Sequence, residues 1–162
     1  MLNAPVRLVL DTNIVIDMLH FDDRHTRPLR TAITDGRVRC FTDDDCLAEL
    51  ERVTGYPEFA LDAPARAALL AAYLAFVTRC PAEANESDED AAGYALPRCR
   101  DADDQKFLIV AARCQADLLL TRDKLLLRLD RHRRLPPPFG IVTAARACEL
   151  LGLGKVGQGP VG

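Results

Sequence analysis

The chain has 162 residues, 49% of them hydrophobic and 28% charged, with a formal net charge of -3. That length and mixture suit one ordinary globular domain with a sizeable core. No apolar run reaches the roughly 18 residues of a membrane span and no signal-peptide pattern opens the chain, so no membrane partner and a cytoplasmic location are expected.

Val6 to Leu10 is short, β-rich and apolar apart from Arg7, which predicts a strand buried on both faces of a parallel sheet. It ends in Asp11. Ile14, Val15, Met18 and Leu19 then follow at helical spacing, so Asp11 stands at a strand-to-helix junction, either as a helix cap or as a site residue. In open parallel sheets ligands bind beyond the carboxyl ends of strands, which makes this acid a site candidate.

A second helix is predicted within 24–35, started by Thr26 or Arg27 before Pro28 and stopped by Gly36. Val38 to Thr42 reads as a second strand. Asp43, Asp44 and Asp45 open a helix that carries Glu49, since acids suit a first helical turn. The spacing of Leu69, Leu70, Tyr73, Leu74 and Val77 predicts one long helix from Asp62 through Thr78. The acidic stretch 82–96 reads as an exposed loop. Asp101 to Cys114 is a helix, and Asp117 to Thr121 a third buried strand that again runs into a carboxylate, Asp123. A short helix 124–129, a final strand 140–142 and a helix 144–151 complete the domain. The glycine-rich tail 152–162 is expected to be disordered. Strands alternating with helices predict a three-layer α/β/α sandwich around a central parallel sheet.

Six cysteines without a C-x-x-C pair and three histidines without metal-ligand spacing give zinc little support, and most of the thiols read as reduced. Met18, Phe21, Phe59 and Phe76 read as core or interface packing.

Asp11, Glu49, Asp104 and Asp123 lie on four different elements, two of them at strand ends. Carboxylates brought together raise one another's pKa, an arrangement that requires a compensating cation. Oxygen ligands select Mg2+ or Mn2+, and one or two such ions suit hydrolysis of a phosphodiester.

In Leu10-Asp11-Thr12-Asn13, Ala48-Glu49-Leu50-Glu51, Arg100 to Leu108 and Leu120-Thr121-Arg122-Asp123, the sequence resembles the PIN-domain nucleases. Within them it is similar to the VapC-like toxins of toxin-antitoxin pairs. The resemblance runs from Val6 to about Leu151. It implies that Asp11, Glu49, Asp104 and Asp123 are the catalytic and metal-binding acids, with Asp101 and Thr121 auxiliary. It implies an endoribonuclease acting on RNA, a homodimer, and a cognate antitoxin as partner. Asn13 is read either as orienting Asp11 through a hydrogen bond or as a plain turn residue. Arg122, Lys124, Arg131 and Arg133, in the basic stretch after the last acid, are candidate RNA contacts, with a solvated helix face as the alternative.

Rival readings are a Mg2+-dependent phosphatase, a phosphoacceptor domain, and a non-catalytic PIN-like module that binds RNA or protein. A dehalogenase-type phosphatase needs an acid two residues after its nucleophile, where this chain has Asn13.

Overall fold

A computed structural model describes residues 4–80 and 96–154. The acidic stretch 82–96 therefore falls outside the described residues except for Leu96, as does 155–162 of the tail; the tail's first residues are ordered instead, with Gly152 ending the last helix and Leu153 buried in the core. The element order is β1 (Val6–Leu10), α1 (Thr12–Leu19), α2 (Arg27–Thr34), β2 (Val38–Thr42), α3 (Asp44–Thr54), α4 (Ala63–Leu74) and β3 (Val77–Arg79), followed by α5 (Gln105–Arg113), β4 (Leu118–Leu120), α6 (Lys124–Leu127), β5 (Gly140–Val142) and α7 (Ala144–Leu151). Single 3-10 turns occupy Pro57–Phe59, Ala102–Asp104 and Arg128–Arg131.

All five strands are parallel, in the order β3-β2-β1-β4-β5. The most N-terminal strand therefore lies at the centre. Alternation along it divides the core: Leu8 and Leu10 pack with Ile14, Met18, Leu29 and Leu50 on one face, whereas Val9 packs with Phe107, Leu108, Val110 and Leu119 on the other. This is the predicted α/β/α sandwich.

One expected element divides in two. The helix predicted over 62–78 ends at Leu74, and Val77–Arg79 forms the edge strand β3 beside Cys40, Phe41 and Thr42 of β2. Val77 fits a helical stripe, but parallel pairing with a strand more than thirty residues earlier overrides local periodicity. Asp62 caps α4 as its side chain accepts the Ala65 N–H at 2.8 Å. Likewise α6 ends at Leu127 and tightens into a 3-10 turn instead of continuing to Leu129.

The cysteines also divide. Cys80, just after β3, is disulfide-bonded to Cys114 at the end of α5, while Cys40, Cys46, Cys99 and Cys148 are free. Among the described residues no helix is long and apolar enough to cross a membrane.

The chain moves outward from β1 through β2 to β3, then crosses to the other side of β1 and adds β4 and β5. Strand order thus reverses between β1 and β4. The connections leaving these two strands diverge, opening a crevice at their carboxyl ends. Asp11 follows β1 and Thr121 follows β4, so both stand at that crevice.

Candidate active site

Asp11 is locked to the end of the neighbouring strand, its N–H donating to the Leu120 carbonyl at 2.9 Å. Its side chain is 4% exposed and makes no capping hydrogen bond to α1; Oδ2 accepts instead from the Thr121 hydroxyl at 2.7 Å. The fully buried Thr121 oxygen in turn accepts the Asp123 N–H at 2.9 Å. A single hydroxyl therefore couples the acid after β1 to the turn that begins α6. Asp123 Oδ1 accepts the Leu125 N–H at 2.8 Å, which caps α6 and fixes the carboxylate.

Glu49 enters from α3, with its carboxylate gripped from two sides. The Thr12 hydroxyl donates to Oε2, and Lys106 Nζ stands 2.8 Å from Oε1. Arg52 lies more loosely against Oε1, at 3.9 Å. Asp104 directly precedes α5 without capping it, whereas Asp101 caps the preceding turn by accepting the Asp103 N–H at 3.0 Å.

Asp11, Glu49, Asp104 and Asp123 line one cavity of about 300 Å³, together with Asn13 and Asp101. The crowding is electrostatically unfavourable. Burial raises the Asp11 pKa, as does the Glu49 charge, although the Thr121 hydrogen bond opposes the rise. Asp104 is pushed up to about 8, first by burial, then by the hydrogen bond it shares with the Asp123 carboxyl and by the charges of Asp11 and Asp101.

Among the described residues no three His, Cys, Asp or Glu side chains stand in a ready ligand arrangement. Each carboxylate described above is instead turned to a protein donor or a neighbouring carboxyl. The donor set nevertheless fits a hard divalent cation: several carboxylate oxygens face one solvent-connected cavity, and two of the groups resist ionisation without added positive charge. Such a site can gather positive charge against a phosphodiester.

Asn13 is exposed on the cavity wall; the side-chain hydrogen bond to Asp11 comes from Thr121, and Asn13 contributes through its backbone N–H, which opposes the rise of the Asp11 pKa. Arg122 is bound to Asp17, its Nε and an Nη donating at 2.7 and 3.2 Å to the two carboxylate oxygens. Lys124, Arg131 and Arg133 are exposed.

Sequence reasoning gave no site role to Thr12, Lys106, Tyr56 or Phe59, the last read as core or interface packing. Thr12 and Lys106 hold Glu49, and Tyr56 and Phe59 line the cavity. Lys106 left a faint signal, two positions after an acid on the helix that faces α3. The aromatics left none, because they lie beyond the end of α3 in an irregular turn.

A family profile described as PIN domain matches residues 7–125, a span that includes Asp11, Glu49, Asp104 and Asp123. No curated protein matches the chain.

Proposed function

Because the chain belongs to the PIN-domain family, whose fold is of the nuclease type, we propose that it is a Mg2+- or Mn2+-dependent endoribonuclease and the toxin of a toxin-antitoxin pair. The observation that carries the nuclease reading is the single cavity lined by Asp11, Glu49, Asp104 and Asp123 where strand order reverses. The toxin reading, the antitoxin partner and the homodimer rest on the likeness of the sequence motifs to that branch.

Asp11, Asp104 and Asp123 would hold the metal, with Glu49 completing the set. When bound, one or two divalent ions supply the charge that activates a water and stabilises the phosphate and the leaving oxygen. The chain's own residues prepare this. Thr121 fixes Asp11 and the backbone of Asp123, while Thr12 holds one oxygen of Glu49, so these carboxylates keep their placement during the reaction. In hydrolysis the water oxygen bonds to phosphorus as one P–O ester bond breaks; the departing oxygen takes up a proton, and a carboxylate of the cavity receives the proton the water loses.

The test is incubation of the purified protein with labelled tRNA and mRNA in Mg2+ or Mn2+, beside Asp11→Asn and Asp123→Asn. Cleavage by the parent and none by the variants is expected. Equal cleavage by all three would assign the activity to a contaminant and remove the reading. For the toxin branch, growth arrest on expression should be relieved by co-expressing the product of the adjoining reading frame.

A further inference from the structure

Cys80 and Cys114 form a disulfide, their Cα atoms 6.6 Å apart in space and 34 positions apart in the chain. The other four cysteines are free, with Cys40, Cys46 and Cys99 buried. Domains that depend on disulfides are small and rich in them, whereas this chain buries two apolar clusters and leaves most of its thiols reduced. The bond therefore needs a reason other than folding.

Its position supplies one. Cys80 leaves β3 with its N–H donating to the Thr42 carbonyl at 2.7 Å, and Thr42 leads through Asp43 into α3, the helix of Glu49. Cys114 ends α5, the helix that follows Asp104 and carries Lys106, and its carbonyl accepts from Arg7 Nε of β1 at 2.8 Å. The next residue, Gln115, is held at a φ of 53°, a left-handed conformation that a residue other than glycine keeps only where its surroundings impose it. The bond thus ties the end of one acid-bearing helix to the strand end beside which the other begins. Between those helices lies a cavity of about 500 Å³, lined by Ala48 and Arg52 of α3 and by Gln105, Ile109 and Arg113 of α5. The groove spaces the two helices instead of letting them pack along their whole length, and the Lys106–Glu49 pair reaches across it. Resting on the metal-site reading above, we propose that the Cys80–Cys114 bond is a redox-operated clasp. Closed, it holds α3 and α5 at the spacing at which the carboxylates bind a divalent cation; opened by a small thiol, it weakens that binding.

Cys80 is partly exposed and Cys114 only 3% exposed, so an incoming thiolate attacks the Cys80 sulfur. The S–S bond breaks, and Cys114 leaves as a thiolate that takes up a proton. A second thiol then attacks the outer sulfur of the mixed disulfide, releasing Cys80 as a thiol and the small molecule as its own disulfide. The external thiols are oxidised as the protein bond is reduced, and the oxidised small molecule reverses both steps.

The experiment uses the full chain equilibrated with reduced or with oxidised glutathione and then desalted without air. Thiols counted under denaturing conditions should number four in the oxidised protein and six in the reduced one. Mn2+ binding, read well below the melting temperature from the paramagnetic resonance of the free ion, should be about 10-fold weaker in the reduced protein. Cys80→Ser and Cys114→Ser should match the reduced parent in both conditions, whereas Cys148→Ser should respond as the parent does. A bond that stays closed in the folded chain under reduced glutathione would overturn the clasp. A lowered melting temperature with unchanged Mn2+ affinity would make the bond a staple only, with the same result. Both are measured on the parent, so neither depends on a variant's folding. If both forms bind Mn2+ equally, the clasp alone falls; if neither binds it, the metal-site reading falls and takes the clasp with it.

Discussion

Lys106 Nζ stands 2.8 Å from Glu49 Oε1, and both side chains are largely withdrawn from solvent, 19% and 11% exposed. The ammonium thus occupies one oxygen of a carboxylate facing the cavity, balancing its charge and competing with any other cation for it. Lys106→Met should lower metal-free stability by about 2 kcal/mol, less than for a fully buried pair because some solvent reaches it. It should also enlarge the rise in melting temperature produced by Mn2+, since Glu49 is released to the metal. Thermal melts across a Mn2+ titration read both signs, and a diminished Mn2+ response would show that Lys106 positions Glu49 for the metal rather than competing for it.

Asp104 illustrates a conflict between stability and function. Its carboxyl is raised to about 8 by burial and by acidic neighbours, so the folded state retains a proton that the unfolded chain, near 3.8, has released. Between these values the folded state binds more protons, and stability falls as pH rises, levelling off above the folded pKa. Asp104→Asn should remove this slope, so in EDTA the variant should gain on the parent between pH 4 and 8. The gain should reach about 1 kcal/mol, modest because the carboxyl is partly solvated. Urea unfolding at several pH values measures it, and the same variant should lose cleavage.

Thr121 serves two acids with one hydroxyl. In Thr121→Val the buried Asp11 carboxylate loses a donor and the part-buried Asp123 N–H an acceptor, at a cost of about 1–3 kcal/mol. Thr121→Ser should recover most of it. Denaturant midpoints and cleavage rates should move together in this series.

The basic residues after β4 should separate into two classes. Arg122 pairs with Asp17, which is 7% exposed and whose pKa burial raises even with the guanidinium beside it. Arg122→Gln leaves that acid unpartnered and should destabilise the fold by about 1–2 kcal/mol, the cation's exposure limiting the loss. Arg131→Glu and Arg133→Glu, on exposed side chains, should leave the melting temperature unchanged while weakening RNA binding in a salt-dependent manner. Unchanged binding at low salt would remove them from the RNA contacts.

The ends of β1 and β4 were legible because each is a buried apolar run stopping at a carboxylate, and a parallel sheet places such acids along one edge. Glu49 and Asp104 were legible through motif resemblance, since neither helix alone distinguishes Glu49 from Glu51 or Asp104 from Asp103. β3 was not legible. Val77 continues the helical spacing of α4, and only pairing with β2 makes Val77–Arg79 a strand. The grip of Lys106 on Glu49, the Arg122–Asp17 pair and the Cys80–Cys114 bond were hidden for a related reason: each joins residues far apart in the chain, where local pattern carries no information. Phe21, read from sequence as core or interface packing, lies outside the core at 56% exposed, since apolar character predicts burial only on average.

The central position of β1 has a consequence for how the protein comes into being. Residues are synthesised from the N-terminus, and Asp11 leaves the ribosome ahead of its hydrogen-bonding neighbours Leu120 and Thr121, which are translated more than a hundred residues later. Until β4 slots in beside β1, half of the acidic crevice does not exist. The paired acids of the crevice therefore assemble only once β4 has been made and has joined β1.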